Sequence, residues 1–405
     1  MNEDDLLIPC NSLLVVGNGF DIGLHLPTKY TDFMRHFLMY RCNLKQLPMP
    51  TIKNNDELHT LFADKMNGWR NNYKNENTEK IDEELFDNTL FKNKLILILI
   101  FKYNPNELFR LTGNLKTGTR NSHGEVTLYP NGINKDYFLG HEIKGSEINW
   151  FNLEEILLEI SNNERYQKII DAINNKSGNS SILSQNGINI NDKSYNELKN
   201  GLIFLKSSLS IYFHCVQDIY LKTPSEQTIK YFQEICNTLE FRMDKNVNEY
   251  SEIISLNYTN SAQKLFSSIS TKYPHGVIND ENPENSNIVL GFYNSTAENN
   301  FDTSFIDFQK YYQRILLGTG NYETLDSKIL YIDFYGFSCD PADTELINVL
   351  LENHKEVRRI RIFCYKEKGQ NIINLIKCIG RTLVLDLTNQ KKLEFKLIPE
   401  TKIKI

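Results

Sequence analysis

Apolar runs of strand length alternate with amphipathic segments of helix length near the start of the chain and again after residue 250. Residues 12–17 form an apolar run that ends in a glycine-rich turn, and aromatic residues at helical spacing follow from about Thr31. After residue 250, helices are predicted over 341–353 and 370–380, and strands in EIISLNY, NIVLGFY, KILYIDFYGFS, RRIRIFCY, TLVLDL and KLEFKLI. This alternation predicts an α/β fold, a parallel sheet with helices on both faces.

The middle of the chain has a different pattern. Polar, asparagine-rich stretches there separate segments of helical periodicity, over 56–68, 80–103, 150–175, 195–220 and 225–243. Residues 104–149 include short β-like pieces, and residues 174–194 have the composition of a loop. We therefore predict a discontinuous sheet domain, 1–40 and 251–405, that is interrupted by a mostly helical insertion over 41–250.

The composition is that of a globular protein. The chain has 405 residues and a net charge of −6 without a long basic run, so a nucleic-acid partner is not expected. Its most apolar run, 95–101, is far shorter than the ~20 residues of a membrane-spanning helix, and the acidic N-terminus does not resemble a signal peptide. Seven cysteines include no C-x-x-C pair. We expect reduced thiols, no metal site, no membrane partner and a soluble, cytoplasmic protein.

Polar residues follow the predicted strands at the points where the strands end. Because the carboxyl ends of parallel strands meet at one edge of a sheet, residues that are far apart in sequence are expected to converge there. The residues concerned are Gly17, Asn18, Gly19 and Asp21, then Asn257, Tyr258 and Thr259, then His275 before Gly276, and finally Gly336, Ser338, Asp340 and Asp343. We predict that they line one ligand site.

Each of these groups also has a purely structural explanation. The first glycines could simply make a tight turn, and Asn257 could bond the backbone at the end of a strand. His275 could be a packed turn residue. Asp21, Ser338 and Asp343 could be features of helix N-termini. These explanations treat the groups separately, and none accounts for their convergence on one edge.

Six segments of the chain carry a resemblance to a known family. They are, in order, LLVVGNGFDIGLHLPTKYTDF, NWFNLEE, SLNYTN, YPHG, VLGF and YGFSCDPAD. The chain resembles the AbiH family of bacterial abortive-infection proteins, which act against phage, over nearly its whole length. Two positions depart from the family pattern. Asn152 stands where W-x-D-x-E has an acid, and Phe337 stands where a histidine is common, so the roles of those residues are not carried over.

The chain is also distantly similar to the sirtuin-like NAD-binding domains of prokaryotic defence proteins. The shared features are a strand followed by G-x-G, an N-Y-[DT] strand end, an H-G step and a late G-x-S. This resemblance implies a Rossmann-like, sirtuin-like sheet. In the NAD-cleaving members the corresponding asparagine and histidine carry catalysis, which here are Asn257 and His275. The four-cysteine zinc module of deacetylating sirtuins is missing from the sequence, so protein deacetylation is not expected.

Together the resemblances imply an anti-phage effector that hydrolyses NAD⁺ to nicotinamide and ADP-ribose and requires no cofactor. Asn257 would orient the water or a ribose hydroxyl, and His275 would accept a proton. The N–H groups of Gly17–Gly19 would hold the pyrophosphate. The other ligand-binding positions would be Asn18, Asp21, Tyr258, Gly336, Ser338 and Asp343.

Three other classes of function stay open at this point, one of which is a purely structural interaction protein, for which the polar sheet edge would be superfluous. The same pocket could bind NAD⁺ or ADP-ribose without cleaving it and signal through a change of shape. A nuclease-type toxin would instead need clustered carboxylates for a metal and a basic face. By analogy with the family, the helical insertion and the segment 104–149 are candidates for a lid or a sensing surface. A phage-derived trigger and a homo-oligomer are both compatible with the sequence, which selects neither.

Overall fold

The structure is a computed structural model. It describes residues 12–42, 54–76, 95, 98–99, 150–162, 192–240, 250–293, 305–319, 329–351, 356–365 and 368–398. The β-like segment 104–149, most of the predicted loop 174–194 and most of the predicted helix 80–103 lie outside these residues.

One six-stranded sheet forms the centre of the fold, and every pair of neighbouring strands in it is parallel. The strands are β1 (Ser12–Val16), β2 (Glu252–Ser255), β3 (Ser270–Lys272), β4 (Tyr331–Tyr335), β5 (Arg359–Cys364) and β6 (Leu393–Leu397). Their order is β3-β2-β1-β4-β5-β6. Strand β1 is therefore central, and the strand order reverses between β1 and β4. The predicted α/β class with a parallel sheet is confirmed.

The helices cover a large part of the described chain. They are α1 (Asn18–Gly23), α2 (Tyr30–Cys42), α3 (Asn55–Glu76), α4 (Trp150–Ile160), α5 (Asp192–Tyr220), α6 (Glu226–Leu239), α7 (Ser261–Leu265), α8 (Lys310–Leu317), α9 (Thr344–Leu351), α10 (Gly369–Ile379) and α11 (Arg381–Asn389). Short 3₁₀ turns lie at Pro283–Asn285, Ile306–Phe308 and Pro341–Asp343. Within the described ranges, no helix has the length and apolarity needed to cross a lipid bilayer.

The two faces of the sheet belong to two separate hydrophobic cores. In β1, Leu14 and Val16 pack into one core, and the alternate residues Leu13 and Val15 pack into the other. A strand buried on both faces reads as a continuous apolar run, which is why β1 was recognisable in the sequence. The first core joins the sheet to α2, α3, α5 and α6, whereas the second contains residues of α9 and α10. The domain boundaries at 41 and 250 stay a prediction.

Two of the predicted strands are wrong. The segment TLVLDL lies inside α11, where Leu383, Val384 and Leu387 share one helical face towards the second core. Alternating leucines had suggested a period of two, but Leu385 is exposed. The segment NIVLGFY forms no strand beyond a one-residue bridge at Phe292. Residues 288–292 are nevertheless buried, and backbone groups of this segment bond to residues outside the sheet.

Strand β3 was not predicted. It consists of Ser270, Thr271 and Lys272, and it pairs with β2 at the edge of the sheet. A short polar edge strand carries no apolar run, so periodicity cannot detect it.

A buried ion pair joins strands β4 and β5. The Nε and Nη2 atoms of Arg361 donate to the two carboxylate oxygens of Asp333 over 2.8 and 2.7 Å. The hydroxyl of Tyr250 donates to the same carboxylate over 2.7 Å, and Arg361 also reaches Glu240 at the end of α6 over 2.8 Å. Both members of the pair are 4% exposed. The network therefore links the end of α6 to the sheet through the guanidinium of Arg361, which is buried and has little contact with water.

Candidate functional site

Helix α1 and the turn after β4 approach each other closely at the carboxyl edge of the sheet. The N–H of Gly17 donates to Tyr335 O over 3.0 Å, and the N–H of Gly19 donates to Gly336 O over 2.8 Å. A Cβ atom on Gly19 would lie 2.5 Å from the Cα of Gly336, which itself has a φ of +62°. Glycine is required here because the two backbones would otherwise collide.

The same contacts engage the N–H groups of the glycine turn. The N–H groups of Gly17 and Gly19 were expected to hold a pyrophosphate, but both already donate to carbonyl groups. The glycines allow two turns to pack together instead. Asn18 likewise serves a neighbouring loop, because its Oδ1 accepts a 2.8 Å hydrogen bond from the Thr28 hydroxyl. Contact between these three residues and a ligand stays a prediction.

Asp21 links α1 to the segment that follows β2. Its carboxylate is 1% exposed and accepts hydrogen bonds from Thr259 Oγ1 over 2.6 Å and from Ser261 Oγ over 2.5 Å. Burial raises the pKa of Asp21 to about 6, against the opposing effect of these two hydroxyls. Because its carboxylate bonds side chains that follow β2, Asp21 is not a helix cap. A group with a pKa of about 6 can be protonated or ionised within the physiological pH range.

The Asp21→Asn variant should lose a specific pH dependence of stability. An unfolded aspartate titrates near ~3.9, so the folded state binds this proton more tightly, and the resulting stability is lost as the pH rises through about 6. We expect the free energy of unfolding of the wild type to fall relative to Asp21→Asn by roughly 2–3 kcal/mol between pH ~4 and ~7. Urea titrations at each pH measure this difference. Asp64→Asn, at an exposed aspartate, is the control. If the free energy of unfolding of Asp21→Asn changed with pH in parallel with the wild type, the raised pKa of Asp21 would be contradicted.

Asn257 lies beside Asp21 and has the most unusual environment of the site. It is 5% exposed, and among the described residues neither its Oδ1 nor its Nδ2 has a hydrogen-bond partner. The amide is near enough to favour the ionised form of Asp21, but it does not meet hydrogen-bond geometry with that carboxylate. An unsatisfied buried polar group costs about 1–3 kcal/mol. Such an amide suits a ligand that can both donate and accept.

His275 is also buried, and it contacts the residue that directly follows β2. Its Nδ1 is 3.2 Å from Leu256 O, and its Nε2 is 2.9 Å from Asp343 Oδ1 and 3.1 Å from Arg314 Nη2. Burial, followed by the charge of Lys310, lowers the pKa of His275 to about 4, although Asp343 opposes this. The imidazole is therefore neutral near pH 7.

Two buried cations of α8 complete this cluster. Lys310 Nζ lies 2.9 Å from Asp343 Oδ1 and 2.6 Å from Glu154 Oε1, which α4 supplies. Arg314, one helical turn further on, bonds Glu345 over 2.8 Å as well as His275. Burial would raise the pKa of Asp343, but the charge of Lys310, with a further contribution from Arg314, holds it well below the usual range. Burial raises the pKa of Glu154 to about 8 despite its contact with Lys310.

A protein-family model described as Bacteriophage abortive infection AbiH matches residues 13–365. The chain belongs to the AbiH family. The matched span includes the glycine turn, the Asp21 and Asn257 region and the whole His275 cluster. A search of curated proteins and a search of solved structures found no match to the chain, so the sirtuin-like similarity is not confirmed.

No sequence pattern pointed to Lys310 or Arg314 as residues of this AbiH site. Lysine and arginine side chains are usually solvated, so a lysine and an arginine on one helix read as a surface face. Glu154 is the final acid of the W-x-D-x-E pattern in which Asn152 replaces the first acid, and it supplies a partner for Lys310. Asn152 lies in α4. Phe337 packs in the second core and stacks on Phe334 with ring centroids 5.6 Å apart.

The remaining candidates in the AbiH chain occupy different positions. The Tyr258 hydroxyl donates to Val289 O over 2.8 Å, which holds the NIVLGFY segment. Ser338 is exposed, and Asp340, rather than Ser338 or Asp343, caps the following 3₁₀ turn through the Ala342 N–H. In the part of the chain that the structure describes, no group of three His, Cys, Asp or Glu residues could hold a metal ion.

Proposed function

We propose that this AbiH chain is an abortive-infection effector that binds NAD⁺ at the carboxyl edge of its sheet and hydrolyses it to nicotinamide and ADP-ribose. The observation that carries this proposal is the amide of Asn257, which is buried beside the Asp21 carboxylate with no hydrogen-bond partner among the described residues. A buried polar group without a hydrogen-bond partner lowers the stability of the folded protein. A ligand that forms the missing hydrogen bonds would explain why the chain contains such a group.

The sheet supports a nucleotide as the ligand. The order β3-β2-β1-β4-β5-β6 is the order of Rossmann-like sheets, which bind dinucleotides where the strand order reverses. Here that point lies between β1 and β4, where Gly19 and Gly336 are in backbone contact. Asp21 and Asn257 lie next to it, at the end of β1 and of the neighbouring strand β2. A dinucleotide across this edge would place its ribose within reach of both side chains.

The proposed reaction replaces nicotinamide by water at the ribose C1′. The bond between C1′ and the nicotinamide nitrogen breaks, and both electrons leave with the nicotinamide, which becomes neutral. The water oxygen bonds to C1′ and its proton passes to a base. The transition state carries positive charge on the ribose, as in glycoside cleavage. Asn257 would orient the water or a ribose hydroxyl, an ionised Asp21 would stabilise the charge, and His275 would accept the proton.

One observation favours a binding module as the second candidate. Both ring nitrogens of His275 lie against protein groups: Leu256 O at 3.2 Å, and Asp343 and Arg314 at 2.9 and 3.1 Å. The imidazole can accept a substrate proton only if one of these contacts is exchanged. A protein that never makes this exchange would bind NAD⁺ or ADP-ribose without cleaving it.

Incubation of the purified full chain with NAD⁺ separates these functions. Nicotinamide and ADP-ribose are quantified by chromatography, with and without lysate from phage-infected cells, and binding is measured in parallel by calorimetry. Equal amounts of the two products support hydrolysis. Bound but intact NAD⁺ supports the binding module, and neither binding nor cleavage in any condition contradicts both.

A further inference from the structure

The surroundings of His275 decide which of its two ring nitrogens carries the proton. Nδ1 faces the carbonyl oxygen of Leu256, which can only accept, so this contact requires a proton on Nδ1. Nε2 faces the guanidinium of Arg314, which can only donate, so this contact requires a lone pair on Nε2. The third neighbour, Asp343 Oδ1, would prefer a proton on Nε2.

The three protonation states satisfy different numbers of these contacts. The neutral ring with its proton on Nδ1 satisfies Leu256 and Arg314. It leaves two acceptors, Nε2 and Asp343 Oδ1, 2.9 Å apart, and the cations Lys310 and Arg314 beside Oδ1 offset that repulsion. The neutral ring with its proton on Nε2 satisfies only Asp343. The doubly protonated ring satisfies Leu256 and Asp343, but it sets a positive charge against Arg314. The first state therefore fits the observed geometry best without adding a charge to a buried site.

We propose that Arg314 is a positioning residue that holds His275 neutral, with its proton on Nδ1 and with Nε2 unprotonated. If the chain hydrolyses NAD⁺ as proposed, Nε2 is the nitrogen that accepts the proton during the reaction. Arg314 is suited to this task because it is itself held in place. Its Nη1 bonds Glu345 over 2.8 Å, while its Nη2 reaches the imidazole.

Charged groups from several elements act on the imidazole. Helix α8 contributes Lys310 and Arg314, and the turn before α9 contributes Asp343. Glu345 of α9 acts through Arg314, and Asp340 acts through Asp343. Helix α4 contributes Glu154 through Lys310, and the Tyr258 ring lies 6.4 Å away. Burial and the two cations favour the neutral ring, whereas Asp343 favours the charged one. Loss of Arg314 should therefore let Asp343 draw a proton onto Nε2 and raise the pKa of His275.

Nitrogen NMR on the full chain with labelled histidine tests the inference without any substrate. The chain has eight histidines, and the signals that disappear in His275→Gln identify the ring. In the wild type we expect the tautomer with the proton on Nδ1 and no titration from pH ~8 down to ~5. In Arg314→Gln we expect the midpoint of titration to rise by roughly 1–3 pH units and the proton to favour Nε2. Arg314→Lys should restore much of the wild-type behaviour, and the exposed Arg358→Gln should leave it unchanged.

A wild-type His275 that carries its proton on Nε2, or that titrates at the same pH in wild type and Arg314→Gln, would overturn the inference. If Arg314→Gln does not fold, as judged by circular dichroism, the wild-type tautomer and the Arg314→Lys titration decide alone. If NAD⁺ is cleaved, the acid limb of the pH–rate profile should move to higher pH in Arg314→Gln. An inactive protein with the expected tautomer would count against the proposed hydrolysis but not against the role of Arg314.

Discussion

Arg361→Ala should lower the free energy of unfolding by about 3–5 kcal/mol. Arg361 makes two hydrogen bonds to Asp333 between strands β4 and β5 and a third to Glu240. Removal of the guanidinium leaves the Asp333 carboxylate, which is 4% exposed, without its charged partner. The cost arises mainly from that unpaired buried charge, because a buried pair gains little over apolar residues that fill the same space.

The control for this measurement is Arg358→Ala. Arg358 lies just before β5 and is exposed, so we expect its replacement to change the free energy of unfolding by no more than about 0.5 kcal/mol. Urea unfolding followed by circular dichroism gives both values. An Arg361→Ala variant as stable as Arg358→Ala would show that the ion pair does not hold the two strands together. The double variant Asp333→Leu with Arg361→Met should recover much of the loss.

His275→Ala should reduce the rate of nicotinamide release from NAD⁺ by about 10²–10⁴-fold, the usual contribution of a positioned general base. The neutral imidazole at pH 7 can accept a proton, and alanine cannot. The measurement is the initial rate of nicotinamide release at saturating NAD⁺. Circular dichroism on the same samples verifies that the variant is folded.

His214→Ala is the matched control for His275→Ala. His214 is also buried, at 6% exposed, but its Nε2 pairs with Asp218 of α5 over 3.1 Å rather than with Asp343 or Arg314. We expect His214→Ala to retain the wild-type rate of nicotinamide release. Full activity in His275→Ala would remove His275 from the mechanism, and equal losses in both variants would point to a general loss of structure.

The parallel sheet could be predicted because several of its strands are buried and apolar. Strand β1 and the segment around β4 read as continuous apolar runs, and the helices between the later strands have clear periodicity. The strand prediction for TLVLDL is wrong because its leucines fit both a strand period and a helical period. Only the packing of Leu383 and Leu387 against the second core selects the helix. Strand β3 had no signal because a polar edge strand is defined by its partner β2.

The candidate site was predictable only where topology dictated it. The carboxyl ends of parallel strands share an edge, which brings Asp21 to Thr259 and Gly19 to Gly336. The burial of Lys310 and Arg314 depends on carboxylates from α4 and from the region of α9, which no local pattern reveals. Likewise, no sequence feature indicates that the Asn257 amide is left without a partner, since the same residue could have bonded a backbone group.

Asn257→Leu tests the central claim most directly, because leucine has a similar size and lacks the amide. Removal of a buried polar group that has no partner among the described residues should leave the free energy of unfolding unchanged or raise it by up to ~1–3 kcal/mol. We expect nicotinamide release by the same variant to be slower than in the wild type by at least ~10²-fold, the usual effect of removing a positioned amide. A folded Asn257→Leu variant that cleaves NAD⁺ at the wild-type rate would contradict the account, as would a wild-type chain that releases no nicotinamide under any condition.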